Sequence, residues 1–185
     1  SENTAESSKQ QPSATEQSET DESAATTEGS RRTNESSDED DQRVELSLPN
    51  QATPIEGVVT AGQPSEKAFD SFDEAGVSTV VNLRTKQEKG TWKEAAKAEE
   101  MELDYVHIPI AGADDLTREK TEKLDAALAN AEGKVVVHCG SSNRVGALIA
   151  LRAYWLEGAG IEEAMALGKK AGMTSLAEPV RERIE

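Results

Sequence analysis

The sequence is poor in the residues that build disulfides, metal sites and aromatic cores. Its 185 residues include one cysteine, two histidines and six aromatic side chains. One cysteine excludes an internal disulfide, and two histidines give no basis for a dedicated Cys/His zinc site. No apolar run approaches the ~18 to 20 residues of a membrane span, so no transmembrane segment is expected. The sequence has 20 basic and 36 acidic residues, and the basic residues form no continuous basic stripe. This argues against nucleic acid or anionic lipid as a partner.

Residues 1–41 contain no Val, Ile, Leu, Met, Phe, Tyr or Trp. That stretch holds 12 acids and three bases, and therefore carries −9 of the net charge of −16. Such a segment cannot bury enough apolar surface to offset the entropy of ordering it. We therefore predict a disordered, acidic Ser/Thr/Glu-rich tail over 1–45, a spacer or tether, and one domain over 46–185.

Short apolar runs alternate with helical patterns beyond the tail. Runs typical of strands lie at 57–60, 77–83, 103–110 and 135–137, the last uniformly apolar as in a strand buried on both faces. Helical patterns lie at 65–75, 92–101, 117–131, 145–156, 161–170 and 176–184, and the first and third begin at the predicted capping residues Ser65 and Thr117. This alternation predicts an α/β fold with a mainly parallel sheet of four to five strands flanked by helices. Loops at the carboxyl ends of its strands then share one edge, where such folds bind ligands.

One segment, residues 135–146, carries a chemical signal. A buried strand delivers Cys139 into a loop of small residues, and Arg144 follows at the first turn of an apolar helix. Backbone N–H groups of such a loop and of the helix start bind anions and favour the thiolate form of Cys139. Arg144 offers a planar fork for two oxygens of a tetrahedral oxyanion, and Gly146 permits close backbone packing. Considered alone, Cys139 is best explained as a small buried residue of the core. Its combination with the loop of small residues, Arg144 and the apolar helix favours a nucleophile instead.

The segment from Val136 to Arg144 resembles the signature of cysteine-dependent phosphatases. The domain is most similar to the bacterial family named for the phosphatase-like domain of the beta-lactamase-hydrolase-like protein, a branch of the dual-specificity and protein tyrosine phosphatase group. Further matching segments are 61–65, 80–84, 105–109 and 172–176. The resemblance implies a phosphocysteine mechanism with Cys139 as nucleophile, Arg144 as phosphate-binding arginine, and neither metal nor organic cofactor. The substrate-binding residues that we expect around Cys139 are His138, Gly140, Ser141, Ser142, Asn143 and Val145.

Two departures from the wider phosphatase group keep alternatives open. Four residues separate Cys139 from Arg144, where five are usual, and the short spacing also occurs in rhodanese-like sulfurtransferases, which carry a persulfide. Many phosphatases have a hydroxyl residue at the position of Val145, and this hydroxyl helps to expel the thiolate. Ser141 and Ser142 are the residues here that can substitute for it. The alternatives to phosphatase activity are therefore sulfur transfer and a non-catalytic oxyanion-binding or scaffolding domain. The expected partner is a small phosphate- or sulfur-bearing substrate or a phosphoprotein.

A phosphatase also needs a general acid, and the family comparison points to the loop after the strand at 103–110. Asp114 and Asp115 are the candidates there, although an Asp beside a helix start is also ordinary capping chemistry. His138 is adjacent to Cys139 on a strand, so its side chain should point to the opposite face and orient the loop by hydrogen bonding. A chain beginning at Ser rather than Met suggests a processed protein of the cell envelope or periplasm, tethered through its tail, with the cytoplasm as the alternative.

Overall fold

The computed structural model describes residues 45–90 and 92–185. The acidic tail predicted for 1–45 lies outside the described residues except for Glu45. In the described part of the chain, no helix is long and apolar enough to cross a membrane.

Within residues 45–90 and 92–185, five strands form one sheet, in the order β1-β2-β5-β3-β4. Their bounds are β1 Ala52–Ile55, β2 Val58–Ala61, β3 Val77–Asn82, β4 Asp104–His107 and β5 Lys134–His138. The pairs β2–β5, β3–β5 and β3–β4 are parallel, and only β1, joined to β2 by a tight turn at Gly57 (φ +78°), is antiparallel. The α/β class and the mainly parallel sheet are therefore confirmed. The strand that the sequence did not indicate is β1, which is short and contains Pro54.

In the described residues, six helices cover the two faces of the sheet. Their bounds are α1 Glu66–Asp70, α2 Glu94–Glu100, α3 Arg118–Asn130, α4 Asn143–Trp155, α5 Ile161–Lys170 and α6 Ala177–Ile184, with a 3-10 turn at Ala113–Asp115. The capping residues are as expected: Ser65 accepts a hydrogen bond from the Ala68 N–H and Thr117 from the Lys120 N–H. Because side chains alternate along a strand, consecutive residues of β5 enter opposite layers of the core. Val136 packs in the layer with Phe69 and Phe72, and Val137 in the layer with Leu148 of α4.

Helices α4 and α5 approach closely at two glycines. A methyl group on Gly168 would lie 2.8 Å from the Ala150 Cβ and 2.8 Å from the Gly146 carbonyl oxygen. A methyl group on Gly146 would lie 2.7 Å from the Met173 Cβ and closer still to backbone atoms. This confirms the close backbone packing expected at Gly146. The contact matters to the site because α4 begins three residues before Gly146, where the cysteine loop joins the helix.

We predict that Gly146→Ala destabilises the fold by about 1 to 3 kcal/mol, because the added methyl group meets backbone rather than a flexible side chain. Urea unfolding followed by tryptophan fluorescence measures the loss. Gly160→Ala is the matched control, since its methyl group would meet nothing within 4 Å. Equal stability of the two variants would contradict the packing argument.

Candidate active site

The cysteine loop, residues 139–144, leaves the carboxyl end of β5 between β2 and β3. Cys139 is fully buried, and its backbone N–H donates to the Ala61 carbonyl over 3.2 Å. The next carbonyl, that of Gly140, accepts from the Gln63 N–H over 3.4 Å. A methyl group on Gly62 would lie only 2.7 Å from the Gly140 oxygen. The loop is therefore bound along one side to the end of β2, and it opens toward the carboxyl edge of the sheet.

Two polar side chains of the loop are used to hold its shape. Ser142 adopts a left-handed conformation (φ +71°) and donates through Oγ to the Ala171 carbonyl over 2.6 Å. Gly172 (φ +114°) makes room for it, since a methyl group there would lie 2.6 Å from the Ser142 Cβ. Asn143 Oδ1 accepts from the Thr174 N–H over 2.7 Å, and its Nδ2 donates to Ser175 Oγ over 2.7 Å. Both side chains are hydrogen-bonded to protein, so the groups left for an anion are backbone N–H groups. The first N–H groups of α4 lack intrahelical acceptors and are available for this purpose.

Arg144 spans the loop as a rigid fork. Its Nη1 donates to Glu88 Oε2 (2.7 Å) and to the Ile110 carbonyl (2.9 Å), while Nη2 donates to Glu88 Oε1 (2.8 Å). The absence of a side chain at Gly140 lets the guanidinium lie against the loop, since a methyl group there would be 3.2 Å from Nη2. Glu88 raises the pKa of Arg144, burial lowers it, and the neighbouring Cys139 side chain raises it further. Cys139 and Arg144 therefore lie close enough for Cys139 to affect the pKa of Arg144, as the sequence motif indicates.

Glu88 is a site residue that the sequence alone did not single out. It lies in the loop after β3 and accepts from Arg84 Nε (3.1 Å) and the Thr85 N–H (2.6 Å) as well as from Arg144. The hydrogen bond from Arg144 is the main reason that its pKa lies well below the ordinary value; Thr85 and Arg84 act in the same direction, and burial opposes them. A signal was available, because loops after neighbouring parallel strands share one edge of a sheet, and an acid after β3 can therefore reach an arginine after β5.

Asp114 and Asp115 both lie in the 3-10 turn after β4, on the same edge as the cysteine loop. The Asp115 carboxylate accepts from the Ala111 N–H over 2.8 Å and pairs with Lys120 Nζ over 3.4 Å. The bond from Ala111 is the main cause of the lowered pKa of Asp115, with burial opposing it and Lys120 adding to it. Asp114 is exposed and makes no such bond to the described residues. Arg183 anchors the turn by donating to the Leu116 carbonyl (3.0 Å) and to the Ala113 carbonyl.

His138 belongs to a buried polar chain on the opposite face of the sheet from Cys139. Its Nε2 bonds to Glu94 Oε1, and Glu94 Oε2 accepts from Gln63 Nε2 over 3.3 Å. Gln63 Oε1 in turn accepts from Arg84 Nη1 over 2.8 Å. Arg84 also contacts Glu88, so the chain runs without a break from His138 to Arg144. His138 Nδ1 has no partner among residues 45–90 and 92–185.

Three of the residues expected to bind substrate therefore present no side chain to the loop opening. His138 points to the other face, Val145 is fully buried in the core, and Ser142 is turned to Ala171. The direction of His138 is the one that strand alternation predicts. Substrate binding at these three positions, which would have to use their backbone groups, stays a prediction. Ser141 is exposed and its hydroxyl is the one that remains at the loop surface. Gly140 has no side chain and that of Asn143 is bonded to residues 174 and 175, so each offers its backbone to a ligand in the loop.

Comparison with known proteins gives one family model that matches residues 7–178, described as a DSP-PTPase phosphatase fused to NAD+ kinase. A beta-lactamase hydrolase-like protein of Xylella fastidiosa is 33% identical over 100 residues, which cover 52% of this chain and 23% of the relative. The chain thus spans about a quarter of the length of the curated relatives that it matches.

Two solved structures show the same fold. A DUF442 protein of Shewanella putrefaciens is 22% identical, with a TM-score of 0.58, over 74% of this chain and 91% of its own. The P. aeruginosa protein TpbA, solved in complex with phosphotyrosine, is 17% identical, with a TM-score of 0.53, over 76% of this chain and 85% of its own.

We predict that Glu88→Gln lowers the free energy of unfolding by about 1.5 to 3 kcal/mol at neutral pH, because it removes the charge that pairs with Arg144. The pKa of Glu88 is depressed by folding, so its contribution is complete above the ordinary glutamate pKa of about 4.3 and is lost as the pH falls below it. The difference between wild type and variant, measured by urea unfolding, should therefore shrink from about pH 6 to about pH 3.5. The exposed Glu99→Gln is the control. A difference that does not change with pH would contradict this assignment.

Proposed function

The chain belongs to the family of DSP-PTPase phosphatases fused to NAD+ kinase, and from this membership we propose that it hydrolyses phosphate monoesters through a phosphocysteine at Cys139. The resemblance to cysteine-dependent phosphatases is confirmed by that family model and by the curated relatives. The observation that carries the proposal at residue level is that one short loop holds both the buried Cys139 and the Arg144 guanidinium, which is fixed by Glu88 and the Ile110 carbonyl.

In the first step, the Cys139 thiolate attacks phosphorus, an S–P bond forms and the bond from phosphorus to the leaving oxygen breaks. Charge on the three equatorial oxygens is met by the Arg144 fork and by N–H groups at the start of α4. These donors are held in place before the substrate arrives, so little reorganisation is needed at the moment of reaction. The leaving oxygen takes a proton from a general acid, for which we propose Asp114.

The choice of Asp114 over Asp115 follows from their bonds. A general acid must be protonated for part of the time at the working pH. The bonds from Ala111 and Lys120 lower the pKa of Asp115 and tie its carboxylate to the loop, whereas Asp114 is exposed and able to turn toward a substrate. In the second step, water attacks phosphorus, the S–P bond breaks, and Asp114 accepts the proton from water.

The second step should be the slower one. Val145 supplies no hydroxyl to stabilise the departing thiolate, and the Ser142 hydroxyl is bonded to the Ala171 carbonyl. Ser141 is the exposed hydroxyl that we propose to substitute. The fold is shared with TpbA, whose structure contains phosphotyrosine, and this supports a phosphomonoester, small or protein-borne, as the substrate class.

We predict slow release of nitrophenol from p-nitrophenyl phosphate, inhibited by orthovanadate. Cys139→Ser should abolish it, and Arg144→Ala should lower kcat by about 10² to 10³ because it removes the fixed donors to the transition state. Arg152→Ala, a change of the same charge on the same helix and remote from the loop, is the control. If the wild type releases no nitrophenol but forms thiocyanate from thiosulfate and cyanide, the chain is a sulfurtransferase and the proposal is wrong.

The pH dependence of kcat/KM in two variants distinguishes the roles of Asp114 and Asp115. Asp114→Asn should lower kcat/KM by about 10² and remove the alkaline limb of the kcat/KM profile, because the proton donor of the first step is lost. Asp115→Asn should lower stability and leave that limb in place. If the alkaline limb disappears in Asp115→Asn and persists in Asp114→Asn, the roles are reversed.

A further inference from the structure

Gln63 lies just after β2, directly beside the cysteine loop. Its backbone N–H donates to the Gly140 carbonyl over 3.4 Å, so that carbonyl is turned toward Gln63. Because the peptide group is planar and trans, the N–H of the next residue, Ser141, points the opposite way. A carbonyl oxygen that is bonded outside the loop does not repel an anion inside it, whereas an N–H group can bind one. The backbone of Gln63 therefore helps to orient the loop for anion binding.

The side chain of Gln63 lies between a buried carboxylate and a buried guanidinium. Its Nε2 donates to Glu94 Oε2 over 3.3 Å, and its Oε1 accepts from Arg84 Nη1 over 2.8 Å. Nε2 also donates to the Pro64 carbonyl over 3.1 Å. An amide has a donor end and an acceptor end, and here both are in use. Methionine at this position would offer neither, and glutamate would set two carboxylates in contact.

This amide keeps two buried pairs apart. On one side, Glu94 is bonded to His138, the residue before Cys139. On the other side, Arg84 pairs with Glu88 over 3.1 Å. Without the amide, Arg84 Nη1 would lose its acceptor and Glu94 Oε2 its donor, which is costly because both residues are buried. Each would recover a partner by approaching the other, and this would turn Arg84 away from Glu88.

The consequence of such a turn falls on Arg144. Glu88 binds the Arg144 guanidinium through both carboxylate oxygens, over 2.7 and 2.8 Å. Glu88 is itself held by Arg84 and by the Thr85 N–H. Loss of the Arg84 contact removes one of the bonds that fix Glu88, so the position of the Arg144 fork becomes less defined. Electrostatic stabilisation of a transition state depends on donors that are already in place, and a small loss of definition therefore lowers the rate.

We propose that Gln63 is a positioning residue of the phosphoryl transfer. Its amide keeps Arg84 paired with Glu88, and through them it fixes the Arg144 fork. Its backbone N–H adds a second hold, on the cysteine loop itself. The proposal rests on the proposed function and deepens it, since Gln63 acts through Arg144 rather than on the substrate.

The first test is the binding of orthovanadate, which does not depend on turnover. Orthovanadate resembles the transferring phosphoryl group in the transition state, so its affinity reports the position of the donors. Gln63→Met removes both side-chain bonds at nearly constant length and should raise the Kd about tenfold, measured by isothermal titration calorimetry. Gln87→Met makes the same change at an exposed position of the loop after β3 and should leave the Kd as in wild type. Equal Kd values in the two variants, or no binding by the wild type, overturn the proposal.

The kinetics of p-nitrophenyl phosphate hydrolysis separate positioning from a merely structural role. Gln63→Met should lower kcat/KM about tenfold at a temperature where its unfolding curve shows the variant fully folded. A lower Tm with an unchanged kcat/KM shows a structural role alone and overturns the proposal. If the wild type does not hydrolyse the ester but binds orthovanadate more tightly than Gln63→Met does, the hold of Gln63 on the fork is supported and only the proposed function fails.

A carboxyl group at position 63 gives a readout that depends on pH. The charged groups bonded to that position are Glu94 of α2 and Arg84 of the loop after β3. In Gln63→Glu, the protonated carboxyl can donate to Glu94 and accept from Arg84 as the amide does, whereas the ionised form repels Glu94. The defect in kcat/KM relative to wild type should therefore be small at about pH 5 and grow about tenfold toward pH 8. A defect that stays constant over this range overturns the proposal.

Discussion

The bidentate ion pair between Arg144 and Glu88 joins the loop after β5 to the loop after β3. The Arg144 guanidinium also donates to the Ile110 carbonyl, which follows β4. Three neighbouring parallel strands thus contribute to one fixed fork beside Cys139. A guanidinium held in this way presents its donors without first losing the rotamer freedom of a long side chain, which is the property that electrostatic catalysis needs.

The second connection is the buried polar chain through Arg84, Gln63, Glu94 and His138. It runs under the cysteine loop on the opposite face, and it ends at the residue that precedes Cys139. Together with the fork, it fixes both ends of the loop by charge-assisted bonds inside a region of low dielectric, where such bonds are strong and an unpaired partner is costly.

The fold was predictable because hydrophobic periodicity and capping residues decide it: the all-apolar run in β5, the caps Ser65 and Thr117, and the apolar α4 lie where the sequence indicated. The short strand β1 was not predictable, because its four residues, Pro54 among them, give no clear hydrophobic period. At the site, the pairing of Cys139 with Arg144 follows from local sequence. The shared edge of the sheet pointed to an acid in the loop after β3 but did not select Glu88. Glu88, Glu94 and Gln63 each act on a residue more than twenty positions away, and only tertiary packing selects them among many acids and amides. The same reason hid the inward direction of the Ser142 hydroxyl.

The central claim is that Cys139 carries the phosphoryl group during turnover, and its most direct test is to trap that species. Wild-type protein mixed with p-nitrophenyl phosphate would be quenched in acid during the steady state, digested, and analysed by mass spectrometry for the peptide that contains Cys139. We predict a single phosphoryl group on that cysteine, abundant because hydrolysis of the S–P bond is the slow step. Turnover with an unmodified Cys139, or with the phosphoryl group on another residue, would contradict the account.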